Sequence, residues 1–264
     1  MMVRLALITG ASAGLGEQLA YEFARRHLNL VLVGRQRTKL ERVARQAARL
    51  TRGKVAILAV DLLEEGQAQF VWQRCVQHCG VPDVLVNSTA LSGFGTVAQQ
   101  PQNAGQRVLR LNTLVPLTLS QYFIRMHQHD PAASFLINIA SAGAELTLPY
   151  SAFHSASKAA LLGFARGSQF ELARTRIHLV TVLPTLLNTG HFAQVTAPDL
   201  KPWPLLVKLV AKQQLAPKKV ARKIVRQTFH GAKILRLPLP YQMVANVNQI
   251  LPDLSYRLSR LIYQ

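Results

Sequence analysis

The chain has 264 residues, 49% hydrophobic and 16% charged, a composition typical of an ordered globular protein rather than a disordered one. Its 31 Lys and Arg residues against 12 Asp and Glu give a formal net charge of +19, which attracts anions of every kind. The basic residues are spread over several predicted helices without interleaved aromatics, a pattern that does not favour specific nucleic-acid binding.

Short aliphatic runs alternate with longer amphipathic stretches along the chain. The predicted strands are Val3–Ile8, Leu30–Val33, Val55–Val60, Val84–Asn87, Ser134–Ile139, Ile177–Leu183 and Ile234–Leu237. The predicted helices are Gly14–Arg26, Arg37–Leu50, Glu64–Cys79, Gln106–His127, Ser155–Arg174 and Pro217–His230. Continuous apolar strands that alternate with helices predict an α/β fold, a Rossmann-like doubly wound parallel sheet. No repeat or linker divides the chain, so we expect a single domain over residues 1–264.

The apolar start of the chain is too short for a signal peptide and runs directly into a glycine motif, which favours a first strand. No apolar run approaches the ~20 residues needed to cross a bilayer. We therefore expect a cytoplasmic protein, either free or resting peripherally on a membrane surface.

A glycine-rich turn follows the first predicted strand and opens the first predicted helix. It reads T-G-A-S-A-G-L-G over residues 9–16, with glycines at positions 10, 14 and 16. Such a turn brings the backbone close to a ligand and points a helix N-terminus, with its free amides, at a pyrophosphate. The alternative, an ordinary strand–helix turn, is less favoured for a first strand followed by an amphipathic helix.

This T-G-x-x-x-G-x-G spacing resembles the short-chain dehydrogenase/reductase family, and the likeness runs through nearly the whole chain. The resemblance implies that this turn binds a nicotinamide dinucleotide. The turn residues that we expect to contact the cofactor are Thr9, Gly10, Ser12, Gly14, Leu15 and Gly16.

The end of the second strand predicts which dinucleotide is bound. An NAD enzyme would carry an acid here for the ribose 2′-hydroxyl, but the sequence reads Val33-Gly34-Arg35. The planar guanidinium of Arg35 suits a 2′-phosphate, which favours NADP(H), although the arginine could also begin a solvated helix. The resemblance also places Asp61 and Leu62 beside the adenine, while Asp61 could equally cap the next helix.

Four positions carry the chemistry that the resemblance implies. Ser141 follows the fifth strand, Lys158 lies in S-A-S-K, and Asn112 lies in L-N-T, each where the family has a catalytic Ser, Lys and Asn. The family's catalytic Tyr stands one helical turn before the Lys, and His154 occupies that position here. Tyr150 lies eight residues before Lys158, in the wrong register to substitute.

Three interpretations of His154 stay open. The imidazole, whose ordinary pKa suits proton exchange at neutral pH, replaces the phenol as proton donor. Alternatively, catalysis is lost and the chain is a nucleotide-binding regulatory or structural protein. As a third possibility, an engineered or accidental change has replaced a tyrosine. The first interpretation predicts an NADP(H)-dependent oxidoreductase that acts on a hydrophobic carbonyl or alcohol.

Two further family motifs are altered on the nicotinamide side. The N-N-A-G after the fourth strand reads Asn87-Ser88-Thr89-Ala90, which loses a glycine that permits positive φ. The P-G after the sixth strand reads P-T, although Thr189 keeps a position that often reaches the nicotinamide carboxamide. We expect Asn87 and Thr189 to contact the cofactor. The adenosine side, by contrast, is intact.

The two cysteines, Cys75 and Cys79, flank His78 on a predicted helix. The helix turns His78 to a different face from its neighbours, so we expect two buried or half-buried thiols and no metal site.

The last third of the chain contains two segments to which the resemblance gives a role. It implies that residues 190–216 fold over the substrate as a lid, whose apolar residues favour a hydrophobic substrate, although they could instead be core. Residues 217–264 form basic C-terminal helices, similar to those of family members that rest on anionic membranes, although packing on the sheet is an equal alternative. The resemblance also implies a homodimer or homotetramer through the helices that begin near Gln106 and Ser155.

Overall fold

Seven parallel strands form one sheet in the computed structural model, which describes residues 5–146, 150–188 and 214–238 together with Tyr241, Met243 and Asn246. The strands are β1 (Leu5–Thr9), β2 (Asn29–Gly34), β3 (Val55–Ala59), β4 (Val84–Asn87), β5 (Ser134–Ile139), β6 (Ile177–Pro184) and β7 (Ile234–Leu237). Their order across the sheet is β3-β2-β1-β4-β5-β6-β7. The predicted Rossmann-like doubly wound parallel sheet is confirmed.

Helices cover both faces of this sheet. They are α1 (Gly14–Ala24), α2 (Arg37–Ala48), α3 (Gln67–Cys79), α4 (Ala104–Leu109), α5 (Val115–His127), α6 (Ala152–Leu172) and α7 (Pro217–Phe229). One apolar core packs α1, α2 and α7 against the sheet, and a second packs α3, α5 and α6 against its other face. Because both faces are covered, β1, β4 and β5 are buried at every residue.

The strand order reverses between β1 and β4, where Ala6 pairs with Val84 and Ile8 with Val86. Connections leave these two strands in opposite directions, so a crevice opens beyond their carboxyl ends. Ligands of doubly wound sheets bind in this crevice. The residues that follow β1, β2, β4 and β5 are therefore the ones that a ligand can reach.

Two helix boundaries differ from the prediction in ways that concern the crevice. The predicted helix Gln106–His127 is interrupted by a π-helical turn, Arg110–Leu114, because one extra residue per turn is accommodated there. Helix α6 begins at Ala152 rather than at Ser155. His154 is consequently part of the helix, in its first turn.

Helix α7 is amphipathic, as predicted, and its apolar side is used inside the protein. Val220, Ala221, Ile224 and Val225 are buried in the core that also contains α1. For this helix the alternative of packing on the sheet is therefore the one observed, and its apolar side is not free to enter a membrane. Of the predicted lid only residues 214–216 are described, and most of the tail beyond residue 238 also lies outside the described residues.

Two further findings concern membranes and metals. None of the helices in the described ranges has the length and hydropathy needed to cross a bilayer. Cys75 is buried, as predicted, but Cys79 is exposed, because α3 ends at Cys79 and its last turn faces solvent. Within the described part of the chain, no group of three His, Cys, Asp or Glu side chains could hold a metal ion.

Candidate active site

The glycine turn between β1 and α1 leaves no space for a side chain at Gly10 or Gly16. A Cβ on Gly16 would stand 2.3 Å from the carbonyl oxygen of Gly10, and a Cβ on Gly10 would stand 2.8 Å from the amide nitrogen of Thr89. Gly10 and Gly14 also have positive φ values of 66° and 61°. Ala13, at the N-cap of α1, provides no side-chain acceptor, so the first amides of the helix are left for a ligand.

The hydroxyl of Thr9 fixes the neighbouring loop rather than facing the crevice. It accepts hydrogen bonds from the amides of Ser88 at 3.0 Å and Thr89 at 3.3 Å, and donates to the carbonyl of Val86 at 3.3 Å. The backbone of residues 88–90 has no positive φ, since His27 and Tyr150 are the non-glycine residues with positive φ in the described ranges. Ala90 therefore replaces the family's glycine without strain.

The residues predicted to hold the 2′-phosphate meet at the ends of β2 and β3. The guanidinium of Arg35 lies 3.7 Å from the carboxylate of Asp61, and the Arg35 side chain is 59% exposed. The hydroxyl of Ser12 lies 3.2 Å from the position of a Cβ on Gly34, next to Arg35 in the chain. An exposed ion pair at this distance contributes little, so Arg35 is free to turn towards a phosphate.

Three other predicted cofactor contacts point inward. The side chains of Leu15 and Leu62 are packed in the two apolar cores, so their backbone atoms alone could reach a ligand. The side chain of Asn87 is buried and donates to Asn138 at 2.8 Å, which ties β4 to β5. Thr189 lies outside the described residues.

Ser141 stands at the end of β5, where the chain makes a short 3₁₀ turn, Ala142–Ala144. Its hydroxyl oxygen accepts a hydrogen bond from the amide of Gly143 at 3.1 Å, which fixes the oxygen and leaves the hydroxyl proton for another acceptor. The point where a Cβ on Gly143 would stand is 3.5 Å from the Ser141 oxygen and 3.8 Å from a ring carbon of His154. The structure therefore brings Ser141 and His154 to one place.

The imidazole of His154 stacks on the ring of Phe94, with 5.5 Å between the ring centroids and 20° between the planes. The loop that carries Phe94 is tied to the start of α6, because the amide of Gly95 donates to the carbonyl of Tyr150 at 2.7 Å. Tyr150 itself has a positive φ of 58°, a costly conformation for a tyrosine that is typical of functional sites. The ring of His154 is thus held in a defined orientation.

Lys158 lies one helical turn beyond His154, fully buried, with 3% of its surface exposed. Its ammonium donates to the carbonyl of Ile139 at 2.8 Å, at the end of β5 and two residues before Ser141. Burial lowers the pKa of Lys158 from 10.5 to about 8. Burial of a charge that has one hydrogen-bonded carbonyl among the described residues is costly, which makes Lys158 a candidate functional residue.

Asn112 lies in the π-helical turn and is buried. Its carboxamide oxygen accepts from the amide of Leu91 at 2.7 Å, and its nitrogen donates to the carbonyl of Leu91 at 2.9 Å and to the hydroxyl of Ser157 at 3.0 Å. These bonds join the loop after β4 to helix α6. The side chain of Asn112 therefore holds together the two elements that carry Phe94 and His154.

A cluster around Glu145, which the sequence analysis missed, supports the Ser141 turn. The Glu145 carboxylate accepts two hydrogen bonds from Arg236 on β7, at 2.6 and 2.8 Å, and one from the phenol of Tyr241 at 2.9 Å. Burial would raise the pKa of Glu145, but these hydrogen bonds outweigh it, so the pKa lies below its ordinary value. The partners are 91 and 96 residues apart in sequence, so no local pattern could reveal them.

Comparison with known proteins identifies the family of this chain. Residues 4–199 match the family model described as short chain dehydrogenase. The chain belongs to the short-chain dehydrogenase family. Among curated relatives, the "11-beta-hydroxysteroid dehydrogenase-like 3" of Arabidopsis thaliana is 33% identical over 190 residues, which are 70% of this chain and 60% of that protein. The chain therefore matches less than two thirds of the length of this relative.

Solved structures of short-chain dehydrogenases share the fold at low sequence identity. A short-chain dehydrogenase from Sphingobium yanoikuyae in complex with NADPH superposes with a TM-score of 0.79 at 22% identity, covering 95% of each chain. A short chain dehydrogenase/reductase from Burkholderia phymatum in complex with NAD has a TM-score of 0.84 at 18% identity, covering 96% of each chain. At these identities the likeness establishes the shared architecture.

The chain places groups suited to anions and to proton transfer at one edge of its sheet. Backbone amides of the glycine turn suit phosphates, and Arg35 suits a further anion. The hydroxyl of Ser141 can donate to an oxygen, and the imidazole of His154 can exchange a proton. The buried cation of Lys158 favours negative charge nearby. Together they suit a reaction in which an oxyanion develops and is protonated.

Proposed function

We propose that this chain is an NADP(H)-dependent oxidoreductase that acts on a hydrophobic carbonyl or alcohol through an active site in which His154 stands at the family's tyrosine position. One observation carries the proposal. Ser141 and His154 converge at Gly143, with Lys158 one helical turn away, at the same sheet edge as the glycine turn.

The residues present fit a phosphorylated dinucleotide. The amides at the start of α1 have no side-chain cap and point into the crevice, where they would hold the pyrophosphate. Arg35, beside Ser12 and Asp61, would hold the 2′-phosphate, and the family neighbour from Sphingobium yanoikuyae is an NADPH complex. When bound, the nicotinamide donates or accepts the hydride.

The protein's own groups handle the proton and the developing charge. In the reducing direction, Ser141 donates a hydrogen bond to the carbonyl oxygen, which withdraws electrons from the carbon. The protonated imidazole of His154 transfers a proton to that oxygen, becomes neutral, and regains a proton from solvent. Lys158, which is positively charged at neutral pH even with its lowered pKa of about 8, stabilises the oxyanion electrostatically.

The proposed substrate class is supported by an aromatic side chain at the site and by the name of a curated relative. Phe94 provides an aromatic surface directly against His154, suited to an apolar substrate. The curated relative in Arabidopsis thaliana is named a hydroxysteroid dehydrogenase-like protein, and a steroid is a large apolar alcohol or ketone. A hydrophobic ketone or secondary alcohol is therefore the substrate class to test.

A second candidate function is nucleotide binding without turnover. It is favoured by the difference between the two sides of the crevice, since the phosphate side keeps its glycines while the reacting side has lost its tyrosine. The two functions share cofactor binding and differ in the fate of the hydride.

The two functions separate in a single assay series. We expect the wild-type protein to bind NADPH in calorimetry and to oxidise it in the presence of hydrophobic ketones. His154→Ala should lower kcat by about 10²-fold, the usual contribution of a positioned acid, while the affinity for NADPH stays unchanged. The hydrogen bonds of Gly95 to Tyr150 and of Leu91 to Asn112 still hold the loop in that variant, so an unchanged melting temperature of His154→Ala serves as the folding control.

The His154→Tyr variant completes the series. Binding without oxidation in the wild type, with oxidation gained in His154→Tyr, would mean that the acid alone is missing and would support the second function. Equal turnover in wild type and His154→Ala would remove the proposed role of His154. If the wild type binds neither NADPH nor NADP⁺, both functions are refuted.

The preference for NADPH over NADH should depend on Arg35. We expect Arg35→Ala to weaken NADPH binding by about 10- to 100-fold, the usual worth of a charge-assisted hydrogen bond, and to leave NADH binding within about twofold. Arg37→Ala is the matched control, because Arg37 already pairs with Glu41 at 3.0 Å. Equal losses of affinity for NADPH and NADH in Arg35→Ala would mean that the 2′-phosphate of NADPH does not bind at Arg35.

The predicted assembly and membrane contact also stay proposals. Large apolar side chains are exposed on the helical layer proposed for oligomerisation, namely Leu109, Leu114, Met126 and Phe170. They support a homodimer or homotetramer. On α7 the exposed side chains are cationic while the apolar ones are buried, so contact with an anionic membrane would be electrostatic rather than insertion.

A further inference from the structure

A cavity of about 440 Å³ that is widely open to solvent lies beside the glycine turn and is lined from two different parts of the chain. Gly14 and Gln18 of α1 form one side, and Asn188, Ala216, Pro217 and Lys218 form the other. Gly14 belongs to the phosphate-binding turn, whereas Lys218 is in the first turn of α7. Nothing in the sequence motif of the turn points to a residue so distant along the chain.

The N-termini of both helices bring positive charge to this cavity. Helices α1 and α7 pack side by side and both begin at this cavity, so their positive dipole ends lie together. Helix α7 has no acid in its first turn but carries Lys218 and Lys219 there. Cations at a helix N-terminus are unfavourable, so this arrangement concentrates positive charge at the cavity.

The acid in the first turn of α1 does not offset this charge. Glu17 is bound by the guanidinium of Arg42 through two hydrogen bonds of 2.9 and 3.0 Å, and it accepts a third from Tyr21 at 2.8 Å. Its carboxylate is therefore directed to α2 and away from α7. An anion in the cavity would offset the charge that the two helix ends and Lys218 bring together.

The start of α7 is held in place against the end of β6. The amide of Leu215 donates to the carbonyl of Leu186 at 2.9 Å, and the amide of Asn188 donates to the carbonyl of Leu215 at 3.1 Å. Lys218 follows three residues later. Its backbone is consequently fixed relative to the crevice, which lowers the entropic cost of using its side chain.

We propose that Lys218 is a further cofactor-binding residue, which grips the pyrophosphate of NADP(H) from the side opposite the glycine turn. The inference rests on the proposed binding of NADP(H). It assigns to α7 a role in cofactor affinity that the family's motifs do not contain. A lysine suits this task because its ammonium is a point charge that needs no fixed orientation towards the phosphate oxygens.

The test compares Lys218→Gln with Lys219→Gln by calorimetric titration. Lys219 carries the same charge one residue further along the same helix turn but does not line the cavity. We expect Lys218→Gln to weaken both NADPH and NADP⁺ binding about tenfold and to flatten the salt dependence of the affinity, while Lys219→Gln stays within about twofold of wild type. Both side chains are exposed, so unchanged melting temperatures should confirm folding.

Adenosine 2′-monophosphate, which has the 2′-phosphate but no pyrophosphate, identifies the phosphate involved. Its affinity should be the same in wild type and Lys218→Gln. The inference is overturned if Lys218→Gln binds NADPH like the wild type, if both variants weaken binding equally, or if adenosine 2′-monophosphate is weakened as much as NADPH. Absence of NADPH binding in the wild type would instead refute the proposed function itself.

Discussion

Replacement of Lys158 by Met is expected to slow ketone reduction strongly without loss of stability at pH 7. The ammonium is fully buried with the carbonyl of Ile139 as its hydrogen-bond partner at 2.8 Å. Burial lowers its pKa from 10.5 to about 8, a shift that corresponds to about 3 kcal/mol. Met fills a similar elongated space without a charge, so the cost of burying the ammonium is removed. This offsets the loss of the hydrogen bond, which contributes about 1–3 kcal/mol.

The lowered pKa of Lys158 determines in which direction the stability of the wild type changes with pH. Between pH 8 and 10.5 the unfolded chain holds a proton at Lys158 that the folded chain has lost, so the free energy of unfolding rises with pH in this window. Below pH 8 both states are protonated and the full cost of burial is present. Urea titrations at pH 7, 8, 9 and 10 should therefore show that the free energy of unfolding of the wild type rises relative to that of Lys158→Met, by up to about 1.4 kcal/mol per pH unit.

The exposed Lys219→Met variant is the control for this series, since its charge is solvated and should leave the slope unchanged. For activity, we expect kcat with a hydrophobic ketone to fall by about 10²- to 10³-fold in Lys158→Met, because the oxyanion loses its cation. A constant stability difference from pH 7 to 10 would mean that Lys158 is not buried as a cation. Retained kcat would show that its charge is not used.

The fold could be predicted because each element carries its own local pattern. The apolar run Ser134–Ile139 is buried at every residue, and it coincides with β5 as predicted. The wrong helix boundaries have physical reasons that act across elements. The π-helical turn allows Asn112 to reach Leu91 and Ser157, a requirement set by another loop rather than by propensities within 110–114.

Topology predicts a site residue where that residue directly follows a strand. Ser141 and Arg35 stand at the ends of β5 and β2, which brings them to the crevice, whereas His154 and Lys158 were proposed from the family's motif. Thr9 and Asn87 stand at such ends too, but their side chains serve the loop and the sheet. The contact between Phe94 and His154 depends on the hydrogen bond that joins their two loops, from Gly95 to Tyr150. A contact between segments so far apart cannot be predicted from a single sequence.

The largest loss of cofactor binding is expected from a single methyl group at Gly16. A Cβ there would stand 2.3 Å from the carbonyl oxygen of Gly10 and 2.8 Å from its carbonyl carbon, so the backbone of the turn has to move. The movement displaces the amides at the start of α1, which need positions accurate to a fraction of an ångström to bind phosphate oxygens. We expect Gly16→Ala to lower NADPH affinity by at least about 10²-fold and to lower the melting temperature by several degrees.

The same substitution elsewhere separates the steric effect from the general effect of alanine. Gly163 and Gly167 lie in helix α6 with nothing within 4 Å of an added Cβ. Gly163→Ala should therefore raise stability by roughly 0.5–1 kcal/mol, because alanine has the higher helix propensity, and should leave NADPH binding unchanged. If Gly16→Ala instead binds NADPH as tightly as the wild type does, the backbone amides of this turn do not hold the phosphates. The phosphates would then have to bind elsewhere.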